Sequence, residues 1–129
     1  MEINVIYINS CVKKDKHKYI NEFIKFLNSN YPINRVITIH FTPKRIGMMT
    51  TGSRNDKGDI KVLGKGRILR DILRTLAHEW VHEYQIDVIG REIGSDIGGI
   101  NEDEANLIAG RLLKIFEKQH PHKEYMMYE

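Results

Sequence analysis

The stretch LRTLAHEWVHEYQ, residues 73–85, places two histidines four positions apart within a strongly periodic segment. Apolar residues recur at spacings of three and four from Ile68 to Tyr84, which predicts a helix over residues 67–86. At about 100° per residue, the apolar stripe and the two histidines fall on nearly opposite sides of this helix. The histidines therefore either meet solvent or are covered by another element.

The spacing of His78 and His82 suits a metal ion. Residues four apart in a helix lie on one side of it, so both imidazoles can reach the same ion. Glu79 is one step along and points beside such an ion, where its carboxylate can accept a proton from water. This pattern arises by chance in on the order of one chain in a few hundred of this length, so its meaning depends on a third ligand.

A catalytic zinc ion needs three protein ligands and an open fourth position. No histidine lies between His82 and His120, and Cys11 is the only cysteine, which leaves carboxylates. Glu83 and Asp87 are too close in sequence to turn back onto the same ion while the helix continues. The other downstream carboxylates are Glu92, Asp96, Glu102, Asp103 and Glu104.

The last predicted helix, residues 101–118, offers Glu102 through its helical phase. Glu102 borders the apolar face of this helix, whereas Glu104 is rotated about 200° from it and forms a pair with Asn101 that resembles a capping box. An antiparallel return of the chain would bring Glu102 under the histidines. Asn106, one turn later, could then orient a ligand imidazole by a hydrogen bond.

The remaining pattern predicts a single α+β domain over residues 1–118, followed by a C-terminal tail at residues 119–129. Its other elements are strands at residues 2–8, 35–41 and 59–64, a helix at residues 16–29 and a loop at residues 42–58, whose first half could carry a strand. We expect a small mixed sheet packed by a helix, with the histidine-bearing helix and the last helix beside it.

The composition indicates a folded, water-soluble protein. Of 129 residues, 41% are hydrophobic and 29% are charged, which excludes the composition of a disordered chain. The lone Cys11 permits no intramolecular disulfide, and no basic-then-apolar leader opens the chain, so we expect a cytoplasmic setting. No apolar run approaches the roughly 18 to 20 residues that span a bilayer, so no membrane partner is expected.

HEWVH at residues 78–82, followed by EDEAN at residues 102–106, resembles the gluzincins, the zincin metallopeptidases whose third zinc ligand is a glutamate on a following helix. The sequence of these two motifs is especially similar to that of small ImmA/IrrE-type and phage-encoded metallopeptidase domains. The resemblance covers residues 67–116. The SprT-type zincins use a third histidine, which this segment lacks.

The resemblance implies a minimal zincin fold and a zinc ion held by His78, His82 and Glu102, with Glu79 as the general base of peptide-bond hydrolysis. It also implies that the strand at residues 59–64 is a sheet edge that binds extended peptide by adding a strand. A dedicated intracellular protein substrate is expected, and a phage-encoded protein acting in a host cell fits the same resemblance.

Some roles have more than one candidate. Gluzincins usually stabilise the oxyanion with Tyr, His or Arg. The candidates here, each also explained as a structural or solvent-facing residue, are Tyr84, His40, His122 and Tyr125. Asp71 lies on the same helix side as His78 and could contact it, but a surface charge beside Arg70 and Arg74 is the favoured interpretation.

A rival function is a regulatory module, or one that binds nucleic acid or protein, which keeps the zincin shape and its zinc without catalysis. The net charge of +3 tolerates an acidic partner or nucleic acid without requiring one. No aromatic platform accompanies the basic residues in the middle of the chain, so nucleic acid is the weaker expectation. Such a module would not need Glu79.

Overall fold

A four-stranded sheet forms one layer of the molecule, and helices cover one of its faces. The structure is a computed structural model, and it describes residues 2–47, 49–91 and 99–129 apart from the side chains of residues 122–124. The strands are β1 (Ile3–Tyr7), β2 (Ile37–Thr42), β3 (Gly52–Arg54) and β4 (Asp59–Leu63), and the α-helices are α1 (Lys14–Asn30), α2 (Leu69–Glu83) and α3 (Ile100–Gln119). Within these ranges, no helix is both long and apolar enough to cross a bilayer.

The sheet is mixed, with the strand order β1-β2-β4-β3. β1, β2 and β4 run parallel, and β3 pairs with β4 in the antiparallel sense. Side chains alternate between the two faces of the sheet, and the face with the apolar side chains is the one that the helices cover. On this face the register places Val5, Ile39 and Ile60 side by side. The predicted α+β class with a small mixed sheet is thus confirmed.

The edge of the sheet is not the strand predicted from the sequence. β4, which corresponds to residues 59–64, lies inside the sheet between β2 and β3, so the expectation of an edge there is wrong. The edge strand beside β4 is β3, in the second half of the predicted loop at residues 42–58, and β1 forms the opposite edge. Its three residues, Gly-Ser-Arg, show no alternation of apolar and polar side chains, so the sequence pattern did not indicate a strand. Backbone pairing to β4 forms the strand instead.

Helix α2 lies at the centre of the molecule, packed on the sheet on one side and on α3 on another. Its side chains Leu73, Leu76 and Trp80 are fully buried in the core. The helix continues beyond Glu83 as a wider π-helical turn, Tyr84–Val88. Because α3 covers the side opposite the apolar stripe, α2 is buried nearly all round.

The last residues pack against the domain. Residues Pro121–Tyr128 form a short 3-10 helix, and its Met126 and Met127 are buried in the core. The segment at residues 119–129, predicted as a tail, therefore contributes to packing. A proline and the absence of a 3.6-residue period concealed this short helix, since of its described side chains Met126 and Met127 are the two that are buried.

Candidate metal centre

Three predicted ligands converge at the contact between α2 and α3. His78 Nε2 lies 2.8 Å from Glu102 Oε1, and His82 Nε2 lies 2.9 Å from Glu102 Oε2. The two Nε2 atoms are 3.0 Å apart. One ligand atom from each residue therefore lies within a space that a single ion can fill. Twenty residues separate His82 from Glu102 in sequence, and the fold brings them into contact.

Gln85 fixes which nitrogen of His82 faces this space. Its amide nitrogen donates to the backbone oxygen of Asn101 at 3.1 Å and to Glu104 Oε1 at 3.0 Å. Because both contacts need the NH₂ group, Gln85 Oε1 must be the atom that lies 2.9 Å from His82 Nδ1. His82 Nδ1 therefore carries a proton, so that in the neutral imidazole, the form that binds a metal, Nε2 is the atom with the lone pair.

The charge of the cluster favours a cation. The pKa of His78 is lowered, mainly because burial disfavours the imidazolium and then because His82 lies beside it, while Glu102 opposes both effects. A neutral imidazole is the form that binds a metal. Two imidazole nitrogens and a carboxylate, all directed at one point, match the nitrogen and oxygen ligands of zinc.

Asn106 lies one helical turn after Glu102 and hydrogen-bonds to the His78 side chain. This is the position that the helical phase of α3 predicted for it. Each histidine thus has its own amide partner, Asn106 for His78 and Gln85 for His82. Such outer contacts hold ligand imidazoles in one orientation and one protonation state.

The predicted capping box at the start of α3 does not form. The helix follows Gly99 with no side-chain cap. Glu104 Oε1 accepts hydrogen bonds from Gln85 and, at 2.8 Å, from Arg91, and these contacts lower the pKa of Glu104. Arg91 also donates to Asn101 Oδ1. The amide and guanidinium donors replace the helix amides as partners, so this pair joins α3 to the end of α2.

Glu79 lies beside the ligands and is 92% buried. Burial, followed by the nearby carboxylate of Glu102, raises the pKa of Glu79 to about 7, and Arg54 acts in the opposite direction. The backbone of β3 passes directly over it: a Cβ added at Gly52 would lie 3.1 Å from Glu79 Cγ and 2.6 Å from Thr75 Cγ2. Only glycine permits this close approach between the edge strand and α2.

A buried ion-pair cluster holds β3 in this position. The Glu83 side chain is fully buried, and Arg54 Nη2, from β3, lies 3.1 Å from its Oε1. Arg35 donates to both oxygens of the same carboxylate at 3.0 Å. Because a buried carboxylate without partners is costly, Arg54 ties the end of β3 to the end of α2, and Arg35 ties the chain before β2 to the same carboxylate.

The ligands open into a cleft of about 270 Å³. The cleft is lined by Thr50, Thr51, Gly52, Arg74, Thr75, His78, Glu79, Glu102, Asn106 and Ala109. Arg74 and Gln85 are site residues that sequence reasoning missed. Their spacing was a usable signal, because Arg74 precedes His78 by one turn and Gln85 follows His82 by three residues. Gly52 gave no signal of its own.

Three residues weighed for the oxyanion role do not line the cleft. Tyr84 packs edge-on against Tyr31, with ring centroids 5.1 Å apart. His40 lies on β2 with Nε2 3.4 Å from Asp59 Oδ1. Tyr125 is 64% exposed. The described cleft residues instead offer other side-chain donors, namely the guanidinium of Arg74, the amide of Asn106 and the hydroxyls of Thr50, Thr51 and Thr75.

The remaining residues considered from the sequence are Asp71, His122, Glu92 and Asp96. Asp71 is exposed on the surface of α2, in agreement with the favoured interpretation. The side chain of His122 lies outside the described part of the structure, and so do Glu92 and Asp96, two carboxylates considered as ligands.

No protein-family profile, curated protein or solved structure matches this chain. The resemblance to gluzincins is therefore carried by two short motifs. The geometry around these motifs supports a function independently of the resemblance.

Gln85→Leu is expected to weaken zinc binding by about 10- to 100-fold, because His82 loses the acceptor that keeps the proton on Nδ1. A competition titration with a chromophoric chelator measures the change. Arg91→Gln is the matched control, since Arg91 contacts the same Glu104 and Asn101 but not a histidine. Equal loss in both variants would mean that Gln85 acts only by joining the helices.

Proposed function

We propose that this chain is a zinc-dependent metallopeptidase of the minimal zincin type. The observation that carries the proposal is the convergence of His78, His82 and Glu102 at the wall of a cleft, with Glu79 buried beside them. Three protein ligands with the remaining side facing a cleft are what a catalytic zinc site requires. A structural zinc site would instead have four protein ligands.

The chemistry falls to Glu79. Zinc held by the three ligands would polarise the scissile carbonyl and make water more acidic. Glu79 accepts a proton from the attacking water while the water oxygen bonds to the carbonyl carbon. It then gives this proton to the amide nitrogen as the C–N bond breaks. Burial raises the proton affinity of Glu79, which suits a group that takes up and releases one proton per turnover.

The edge strand β3 supports a peptide as the substrate. One side of β3 pairs with β4, and the other side is the open edge of the described sheet. An extended peptide can add to such an edge through backbone hydrogen bonds. Because Gly52 lies against Glu79, a peptide paired there would place its backbone near the base. A dedicated cytoplasmic protein is the proposed substrate.

The test is zinc stoichiometry combined with cleavage of a proteome-derived peptide mixture. We expect one zinc per chain, and we expect chelation to abolish cleavage and added zinc to restore it. Tight binding of one zinc without cleavage of peptides or intact proteins would favour the rival binding module. Failure to bind zinc would reject both functions.

A further inference from the structure

A second cavity continues from the cleft along the outer side of α3. Its volume is about 380 Å³, and it shares Arg74 and Asn106 with the cleft. Its other lining residues are Leu107, Gly110, Arg111 and Lys114. We call Arg74, Leu107, Gly110, Arg111 and Lys114 the basic groove. The shared residues place the cleft and the groove next to each other.

The cations of the groove have no acidic partner within the described part of the chain. Among the residues that the structure describes, Arg74, Arg111 and Lys114 form no ion pair or hydrogen bond. Two arginines outside the groove have acidic partners: Arg70 Nε lies 3.0 Å from Glu117 Oε1, and Arg91 Nη1 lies 2.8 Å from Glu104 Oε1. Glu117, an acid three residues after Lys114, is thus already occupied by Arg70.

The shape of the groove follows from α3. Glu102, Asn106, Gly110 and Lys114 recur every four residues, so they form one stripe that leads from the ligands to the end of the groove. At Gly110 the stripe has no side chain, and the guanidinium of Arg74 lies beside the bare backbone, with Nη2 3.5 Å from where a Cβ would be. The guanidinium therefore lies between the two helices, at the junction with the cleft.

We propose that the basic groove binds an acidic segment of the substrate, adjacent to the peptide bond that is cleaved. This inference rests on the proposed peptidase function. Arg111 is nine residues after Glu102, which is about 14 Å along the helix. An extended chain covers that distance in about four residues. Acidic side chains within about four residues of the scissile bond would reach the cations.

Peptide is favoured over nucleic acid as the occupant. Single-stranded nucleic acid is held by aromatic stacking as well as by positive charge, and the described residues that line the groove and the cleft include no Phe, Tyr or Trp. The exposed apolar residue in the groove is Leu107, which can contact the aliphatic part of a peptide side chain. The groove also leads directly to the backbone-binding edge and the base.

The test measures peptide binding to the zinc-loaded Glu79→Gln protein, so that binding is read without turnover. The probes are a fluorescein-labelled peptide that contains a run of glutamates and its counterpart with glutamine at each of those positions. We expect the acidic peptide to bind about 10-fold more tightly, from a few partly exposed ion pairs, and to lose this advantage at high salt.

The charge is then removed from the groove by the combined changes Arg74→Gln, Arg111→Gln and Lys114→Gln. The matched control removes the same charge from exposed lysines outside both cavities, through Lys18→Gln, Lys25→Gln and Lys57→Gln. The groove variant should bind both peptides equally, and the control should keep the preference. Melting curves show whether each variant is folded.

Equal binding of both peptides by the parent protein would overturn the proposal. So would loss of the preference in the control but not in the groove variant. A third contrary outcome is that single-stranded DNA binds more tightly than the acidic peptide and displaces it. If the groove preference holds but the wild-type protein cleaves no peptide, the peptidase proposal fails and the binding groove stands. The two proposals can thus fail separately.

Discussion

Glu79→Gln is expected to reduce kcat/KM for peptide hydrolysis by on the order of 10²- to 10⁴-fold or more, because a positioned general base contributes about that much. Glutamine has nearly the same shape but cannot accept the proton. Zinc content should remain at one per chain, because Glu79 is absent from the group of ligand atoms that converge. Metal analysis and single-turnover kinetics on the same preparation measure both quantities.

Folding should not complicate this result. The raised pKa of Glu79 means that the fold disfavours its charged form, so a neutral amide of the same size is not expected to destabilise the protein. Glu117→Gln is the matched control, since it makes the same chemical change at the ion pair with Arg70, outside the cleft. Full activity of Glu79→Gln would reject Glu79 as the base. Loss of zinc would reassign it as a ligand.

We expect the zinc affinities of Glu102→Ala and Glu104→Ala to differ, because Glu102 is the proposed third ligand and Glu104 contacts only residues around the site. Glu102→Ala removes one of three ligands, so zinc affinity should fall by more than the roughly 10- to 100-fold that an outer partner contributes. Glu104→Ala removes an acceptor for Gln85 and Arg91 but leaves the three ligands in place, so its loss should stay within that range. Both affinities are measured by competition with a chelator.

The two glutamates control for one another, because they lie on the first turns of the same helix and are similarly exposed. Circular dichroism on metal-free protein shows whether α3 still forms in each variant. Loss of zinc in Glu104→Ala but not in Glu102→Ala would contradict the assignment of the third ligand. Similar small losses in both would mean that another group replaces Glu102.

The parts of the molecule with a long apolar period were predictable. Helix α2 and helix α3 each have a continuous stripe, so their phase placed Glu102 and Asn106 on the side that meets the histidines. The C-terminal end of α2 was less well predicted. The chain widens into a π-helical turn after Glu83, and no glycine or proline marks this change in the sequence. That turn contains Gln85, whose role depends on it.

The sheet edge was not predictable for a different reason. Strand order depends on which backbones pair, and the pattern of β4 is the same for an interior and an edge position. β3 has three polar or small residues, and its position is fixed by contacts distant in sequence: Gly52 against Glu79, and Arg54 with Glu83. Gly52 and Arg54 both lie within residues 42–58, the segment predicted as a loop.

The Arg54–Glu83 contact has a consequence for how this protein can diverge. Glu83 lies one helical turn after Glu79, so the same helix positions the base and anchors the strand proposed to align the substrate. The described residues of the connection before β3, 43–47 and 49–51, lie outside this anchor. If the proposed peptidase function holds, mutations there would change which proteins are accepted while the distance from base to substrate backbone is preserved. Selectivity would then evolve in the connection without loss of the chemistry.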